Sequence, residues 1–236
     1  MSFLKAEWRK LVMVNYEINP EILKPYVPKG TELDFFEGKC YISLVGFMFL
    51  NTKLLGVKIP FHVNFEEVNL RFYVRKVFDE GIKRGVVFIK EIVPKPAITF
   101  IANTIYNENY ETLTMKHNWE ISNESISVTY QWKKNNSWNS MAIQAENRLN
   151  EIQPNSVVEF IAEHYWGYSK KNAKETTEYE VKHPKWKYYP VKQHSVEVDF
   201  KSNYGDEFEF LNQDNPNSIF LLEGSEISVE DKVVLK

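Results

Sequence analysis

Between Phe65 and Val77 the side chains alternate in character, with Val68, Leu70, Phe72 and Val74 falling on one face and Glu67, Asn69, Arg71, Tyr73 and Arg75 on the other. That period of two is the signature of a β-strand. Asp79-Glu80-Gly81 turns this strand into a second, Val86–Val93, which Pro94 and Pro96 end. Similar stretches recur along the chain: Trp8–Ile18, Thr31–Phe36 and Lys39–Leu50 around the hairpin signal Glu37-Gly38, then Thr112–Ile121, Ile126–Trp132 and Ser140–Leu149. The C-terminal third adds Thr177–Val181, His194–Phe200, Phe208–Leu211, Ser218–Leu222 and Ile227–Leu235.

Helical spacing is rare. Asn19-Pro20-Glu21 offers an N-cap with proline at the first helical position, and Pro25 and Pro28 confine this helix to about two turns. Ile98, Ile101, Ala102 and Ile105 fit the i, i+3, i+4, i+7 spacing of a buried helix face. Ser156 and Glu159 form a Ser-x-x-Glu capping box ahead of the stripe Val157, Phe160, Ile161 and His164, with Gly167 as the stop. Many strands and few short helices, without βαβ alternation, predict a β-rich chain, all-β or α+β, closed as an antiparallel-rich barrel or sandwich. One continuous sheet system predicts one domain over residues 1–236.

Composition sharpens this picture in one respect. Phe, Tyr and Trp make up 15% of the 236 residues, and aromatics favour half-buried pleated surfaces and pocket walls alike. The net charge of −3 comes without a basic stripe, which argues against a nucleic-acid partner. The longest apolar run, Tyr41 to Leu50, is ten residues, far short of the ~20 that span a bilayer, so no membrane partner is expected. MSFLKAEWRKLVM carries charges at Lys5, Glu7, Arg9 and Lys10 and does not read as a signal peptide. The expected location is the cytoplasm. Cys40 is the one cysteine and sits in an apolar strand without an evident base, the setting of an inert buried thiol. The sequence leaves a homo-oligomer open.

The chain lacks a phosphate-binding glycine loop, a G-x-S-x-G elbow and an H-E-x-x-H helix, and its five histidines never pair at metal-ligand spacing. No cofactor and no metal are expected. Two constellations survive. The Glu67/Asn69/Arg71/Tyr73/Arg75 face is solvated on an open sheet; in a barrel it looks into the lumen, where an arginine holds a carboxylate bidentately. The cluster Glu163-His164-Tyr165-Trp166-Gly167-Tyr168, with His183-Pro184-Lys185-Trp186 after it, gathers the groups of general acid–base chemistry. The same groups also build structural hydrogen-bonded clusters.

Several stretches, in order, resemble the YqjF-like family of uncharacterised proteins, a branch of the acetoacetate-decarboxylase-like superfamily. They are Ile22–Pro28 with Glu32–Gly38, Val68–Val74, Glu163-His164-Tyr165 with Tyr168, and His183-Pro184-Lys185-Trp186. The resemblance runs from about Trp8 to Val234 and implies a cone-like antiparallel β-barrel around a central cavity, similar to acetoacetate decarboxylase. His164 stands where the family has an arginine, and a second family arginine is replaced by Asn103 or Thr104. In the decarboxylases an adjacent lysine lowers the pKa of an imine-forming lysine. Counting on from Pro96-Ala97-Ile98, which resembles the stretch before that pair, arrives at Asn109 and Tyr110. Schiff-base decarboxylation is therefore not expected.

The resulting expectation is a cavity for a small anionic or carbonyl-bearing molecule, lined by Asn69, Arg71, Tyr73, Tyr110, Tyr165 and Trp186. Arg71 fixes the anion, and Glu163 and His183 are the acid–base candidates. Two alternatives stand beside it: a lyase or hydratase acting on a β-keto acid through Lys116, and a non-catalytic structural or interaction protein whose barrel is filled by its own aromatics.

Overall fold

Strands dominate the computed structural model, which describes residues 2–236. In chain order they are β1 (Leu4–Glu17), β2 (Glu32–Leu33), β3 (Tyr41–Leu54), β4 (Phe65–Phe78), β5 (Gly81–Val93), β6 (Tyr110–Thr112), β7 (Thr114–Ile121) and β8 (Ser125–Lys134). Then come β9 (Ser137–Glu146), β10 (Asn150–Glu151), β11 (Trp166–Lys170), β12 (Thr176–Lys182), β13 (Lys187–Tyr189), β14 (Val191–Glu197), β15 (Ser218–Val229) and β16 (Val233–Leu235). Four short helices, α1 (Pro20–Leu23), α2 (Pro96–Ile101), α3 (Val157–Ala162) and α4 (Phe200–Tyr204), sit among them.

The large sheet closes on itself. Its order runs β15–β1–β3–β4–β5–β11–β12, and β12 returns to β15 through Val181 opposite Val229 and Lys182 opposite Ser228. This ring is antiparallel except where β11 joins β5 in parallel, through Trp166–Gly85 and Gly167–Val86. Beyond those two residues β11 leaves β5, and the segment carrying α2 and β6 fills the opening, with β6 pairing β5 in parallel from Glu91 to Val93. Strands from both ends of the chain complete the ring, so each lumen-facing residue is positioned by sequence-distant neighbours.

Both faces of the ring are covered, which is why β1, β3 and β4 read as almost continuously buried. The separate sheet β14–β9–β8–β7 packs on the outside, presenting Ile126, Val128, Tyr130 and Trp132 to Val12, Val14, Leu44, Val68, Leu70 and Phe72. Gly46 of β3 admits this layer: a Cβ there would lie 2.8 Å from Met141 Sδ and 3.0 Å from Tyr130 Cδ2. The inner faces of the same strands contribute Leu11, Met13, Val45, Phe47, Phe49, Phe65 and Tyr73 to a second core. At one end that core is stoppered by α3, whose Phe160 ring lies 5.5 Å from Tyr73 and 6.1 Å from Tyr41.

Several local expectations change. Glu37-Gly38 makes a turn closed only by Phe36 and Lys39, because β3 is engaged by β1 and β4 and the preceding β2 pairs with the end of β4 instead. Phe208–Leu211 lies in a 3-10 helix over Asp206–Asn212, and Phe200 opens α4, where Asp199 accepts from Ser202 N at 3.0 Å as the N-cap. Ser218–Val229 is one strand, with Gly224 (φ +80°) opposite Arg9, next to the bulge that β1 makes against β3 around Lys10 (φ +55°). The Ser156 cap forms at 3.2 Å from Glu159 N, but α3 stops at Ala162, short of Gly167. Among the described residues no helix is long and apolar enough to cross a membrane.

Candidate functional site

The inner face of β4 decides what the lumen contains. Phe65, Glu67, Asn69, Arg71 and Tyr73 all point inward, and each is buried. Adjacent β5 should repeat the alternation, placing Val86, Phe88 and then Lys90 inside. It does not, because Ile89 is an extra residue: Arg71 faces Phe88, Leu70 faces Lys90, and Asn69 faces Glu91. The bulge turns Lys90 outward, where it pairs with Glu111 at 3.2 Å, and turns Glu91 into the lumen.

The result is a cavity of about 160 Å³, roughly ten times the ~10–15 Å³ that one water needs. Its walls are mostly apolar, including Trp8, Phe47, Phe49, Phe65, Phe88 and Ile98. Its polar groups include Glu67, Asn69 and Arg71 from β4, Glu91 from β5, Glu108 and Tyr110 from the segment after α2, Tyr179 from β12 and His164. A π-helical turn, Ala102–Tyr106, with Asn107 after it in the left-handed region (φ +58°), brings Glu108 and Tyr110 to the lumen. Asn103 grips the Tyr110 backbone, accepting from its N–H at 2.7 Å and donating to its carbonyl at 3.0 Å.

Three carboxyls share this space. Tyr110 Oη donates to Glu67 Oε2 at 3.1 Å and Asn69 Nδ2 donates to Glu67 Oε1 at 3.0 Å. Tyr179 Oη donates to Glu108 Oε1 at 2.8 Å. Burial pushes Glu67 up to about 7 and Glu108 up to about 8, and pushes Glu91 well above the carboxylate range, with the neighbouring carboxylates adding to the rise for Glu91 and Glu108. Near neutral pH the group therefore retains protons. Arg71, 7% exposed, makes no ion pair among the described residues, and its Nε is buried without a hydrogen-bond partner. Asn69 Oδ1 and Glu91 Oε2 are likewise buried and unpartnered, a condition that native proteins rarely tolerate without a ligand or water.

Asn69, Arg71 and Tyr110, expected from the sequence, line the cavity. Tyr73 lies beneath it, fully buried, with its hydroxyl 2.7 Å from Ser43 Oγ and its ring 4.7 Å from that of His164. Glu163, Tyr165, His183 and Trp186 stand outside. The chain is extended after α3, so alternation sends His164 and Trp166 into the cavity and Glu163 and Tyr165 away from it. Tyr165 Oη donates to Glu163, the His183 ring stacks on Trp186 at 4.1 Å, and Trp186 reaches the cavity only through Trp8, at 6.3 Å. Glu91, Glu108 and Tyr179 are not among the residues expected from the sequence. Glu91 left one signal, a lone acid inside the apolar run Val86–Val93.

Lys116 lies exposed on β7 of the outer sheet, 4.4 Å over the Trp138 ring, and among the described residues no lysine lines the cavity. The β-keto-acid alternative thus loses its amine. Cys40 is buried, and burial raises its thiol to about 11, as expected of an inert residue. Burial holds His164 down to about 4 despite Asp34 at 3.4 Å, and His183 down to about 4 as well. Among the described residues no group of three acidic, histidine or cysteine side chains is arranged to hold a metal ion.

Residues 5–226 match the DUF2071 family of uncharacterized conserved proteins. The chain belongs to this family. An uncharacterized relative, YqjF of Bacillus subtilis (strain 168), is 32% identical over 80 residues, a match spanning 34% of this chain and about a third (33%) of that relative's length. Solved structures extend the likeness to the whole fold. Acetoacetate decarboxylase from Legionella pneumophila superposes with a TM-score of 0.66 at 10% identity, covering 99% of this chain and 87% of that one. The enduracididine biosynthesis enzyme MppR complexed with pyruvate gives 0.67 at 9% identity, covering 100% and 91%. This DUF2071 member thus has the acetoacetate-decarboxylase-like fold, with the strand ring and cavity the resemblance implied; at such identities the likeness concerns the fold alone.

Proposed function

We propose that this DUF2071 protein binds a small carboxylate- or carbonyl-bearing molecule in its barrel and performs no imine chemistry on it. One observation carries the reading: Arg71 presents its guanidinium to an enclosed, mostly apolar cavity without an ion pair among the described residues, its Nε buried and without a hydrogen-bond partner. A buried cation without a partner is costly, and a ligand oxyanion is the partner a guanidinium fork fits. The neighbouring carboxyls do not supply that charge while they hold protons; as neutral acids they donate hydrogen bonds to a carbonyl oxygen. MppR, of the same fold, is known in complex with pyruvate. The reading takes the whole chain as one domain, because β1 and β15 from its two ends pair in the ring. It takes the location as cytoplasmic, in keeping with a chain whose one cysteine is buried.

A cavity of about 160 Å³ with unpartnered polar groups argues against a barrel filled by its own aromatics. A second reading, acid–base catalysis of a lyase or hydratase type, is favoured by Glu67 at about 7 and Glu108 at about 8, the range in which a carboxyl both gives and takes protons near neutrality. Isothermal titration with pyruvate and acetoacetate tests the main reading. Binding should occur in the native protein and fall by about tenfold or more in Arg71→Met, about the 1.4 kcal/mol or more expected of a charge-assisted hydrogen bond. Undiminished binding in that variant removes Arg71 as the anchor.

A further inference from the structure

The lumen's charges do not balance. Glu67, Glu91 and Glu108 face it from β4, β5 and the α2–β6 segment, whereas Arg71 is its one guanidinium and no lysine reaches it among the described residues. The remaining titratable groups facing this space, Tyr110, Tyr179 and Tyr106, with His164 beside α3 and His62 from the β3–β4 loop, supply no compensating fixed cation. Two buried side-chain oxygens, Asn69 Oδ1 and Glu91 Oε2, have no hydrogen-bond partner. They sit on directly opposed residues, Asn69 and Glu91, one lumen-facing position along β4 from Arg71. That step is about 6–7 Å. Asn69, Glu91 and Arg71 thus hold neighbouring positions on one wall of the lumen.

Depth adds the rest of the ligand's shape. Arg71 lies toward the end stoppered by α3, whereas Phe65, Phe49 and Trp8 lie at the opposite end. There the cavity is lined further by Leu54 and Ile59 of the β3–β4 connection and by Ile98 and Ile101 of α2.

We propose that the lumen accepts a small zwitterion, bearing an ammonium, a carboxylate and an apolar side group, whose ammonium occupies the place among Glu67, Glu91 and Glu108 that no lysine fills among the described residues. This rests on the reading of Arg71 as the carboxylate anchor. In the free state the three carboxyls relieve their mutual repulsion by holding protons, as the raised values of Glu67, Glu91 and Glu108 express. An entering ammonium removes the need for one of them. The amine arrives already protonated, a carboxyl proton leaves to solvent, and no covalent bond forms or breaks. A keto acid of the same skeleton brings an anion alone and gives no such release.

L-leucine and 4-methyl-2-oxopentanoate share a carbon skeleton and differ in the amine, so titration calorimetry of both at pH 7, in two buffers of different ionisation enthalpy, isolates its effect. The expected result is binding of L-leucine about tenfold or more tighter than the keto acid, the equivalent of about one pKa unit, with release of about one proton. In Glu91→Gln, with circular dichroism unchanged, the preference and the release should both shrink. Equal or tighter binding of the keto acid, or binding of L-leucine without proton release, overturns the amine inference and leaves the Arg71 reading standing. Binding by neither compound, nor by acetoacetate, overturns both.

Discussion

Asn69 and Glu91 face each other across the β4–β5 pair, and they do so because Ile89 is an extra residue in β5. Without it, strand alternation would carry Lys90 into the lumen and Glu91 out of it. One residue of register thus separates a cavity holding an amine from a cavity holding a third carboxyl.

The raised carboxyl at Glu67 has a consequence for stability. Its pKa moves from 4.5 to about 7 on folding, chiefly through burial, so the folded state holds more protons than the unfolded one across that window. Stability is then lost as pH rises through it. Glu67→Gln should be more stable than the native protein by about 2–3 kcal/mol at pH 8, with the difference vanishing below about pH 4.5. Paired denaturant titrations at pH 4 and pH 8 check this; a pH-independent difference contradicts it.

His164 runs in the opposite direction. Burial holds it at about 4, below its ordinary 6.5, with Asp34 too weak a counterweight. Its contribution to stability is therefore present above about 6.5 and declines as pH falls toward 4. Imidazole resonances in an NMR titration should show His164 neutral throughout pH 5.5–8, and a midpoint near 6.5 would place the ring in solvent.

Gly167 forms part of the cavity wall, and a Cβ there would overlap the Tyr179 ring. Gly167→Ala should displace Tyr179, break its hydrogen bond to Glu108 and cost about 1–3 kcal/mol. Thermal melting together with titration of the lumen ligand measures both effects; a fully native melt and affinity would mean the wall yields freely.

Borohydride reduction in the presence of acetoacetate should leave no adduct at Lys116, which sits outside the barrel beside Trp138. Intact-mass and peptide spectrometry decide the matter, and Lys116→Ala should bind acetoacetate as the native protein does. A reduced adduct on Lys116 would restore imine chemistry.

The alternation of β4 was legible in the sequence because a strand's period is two whatever its surroundings, and with it came the inward row Glu67, Asn69 and Arg71. The α3 cap and the inert Cys40 were local matters too, fixed by neighbouring residues. Which face of β4 enclosed space, however, depended on β12 reaching β15 and closing the ring, a long-range pairing that no local pattern encodes. Likewise Glu108 and Tyr179 meet only because a π-helical turn and a distant strand converge. Glu163 and His183 stand outside the cavity lining: chemical type shows in a sequence, while the direction of a side chain such as Glu163, just beyond a helix end, is set by where that helix stops. Residue type and local period belong to the chain itself; burial, register and the company a carboxyl keeps were decided by the closed barrel, because desolvation and charge coupling act through space.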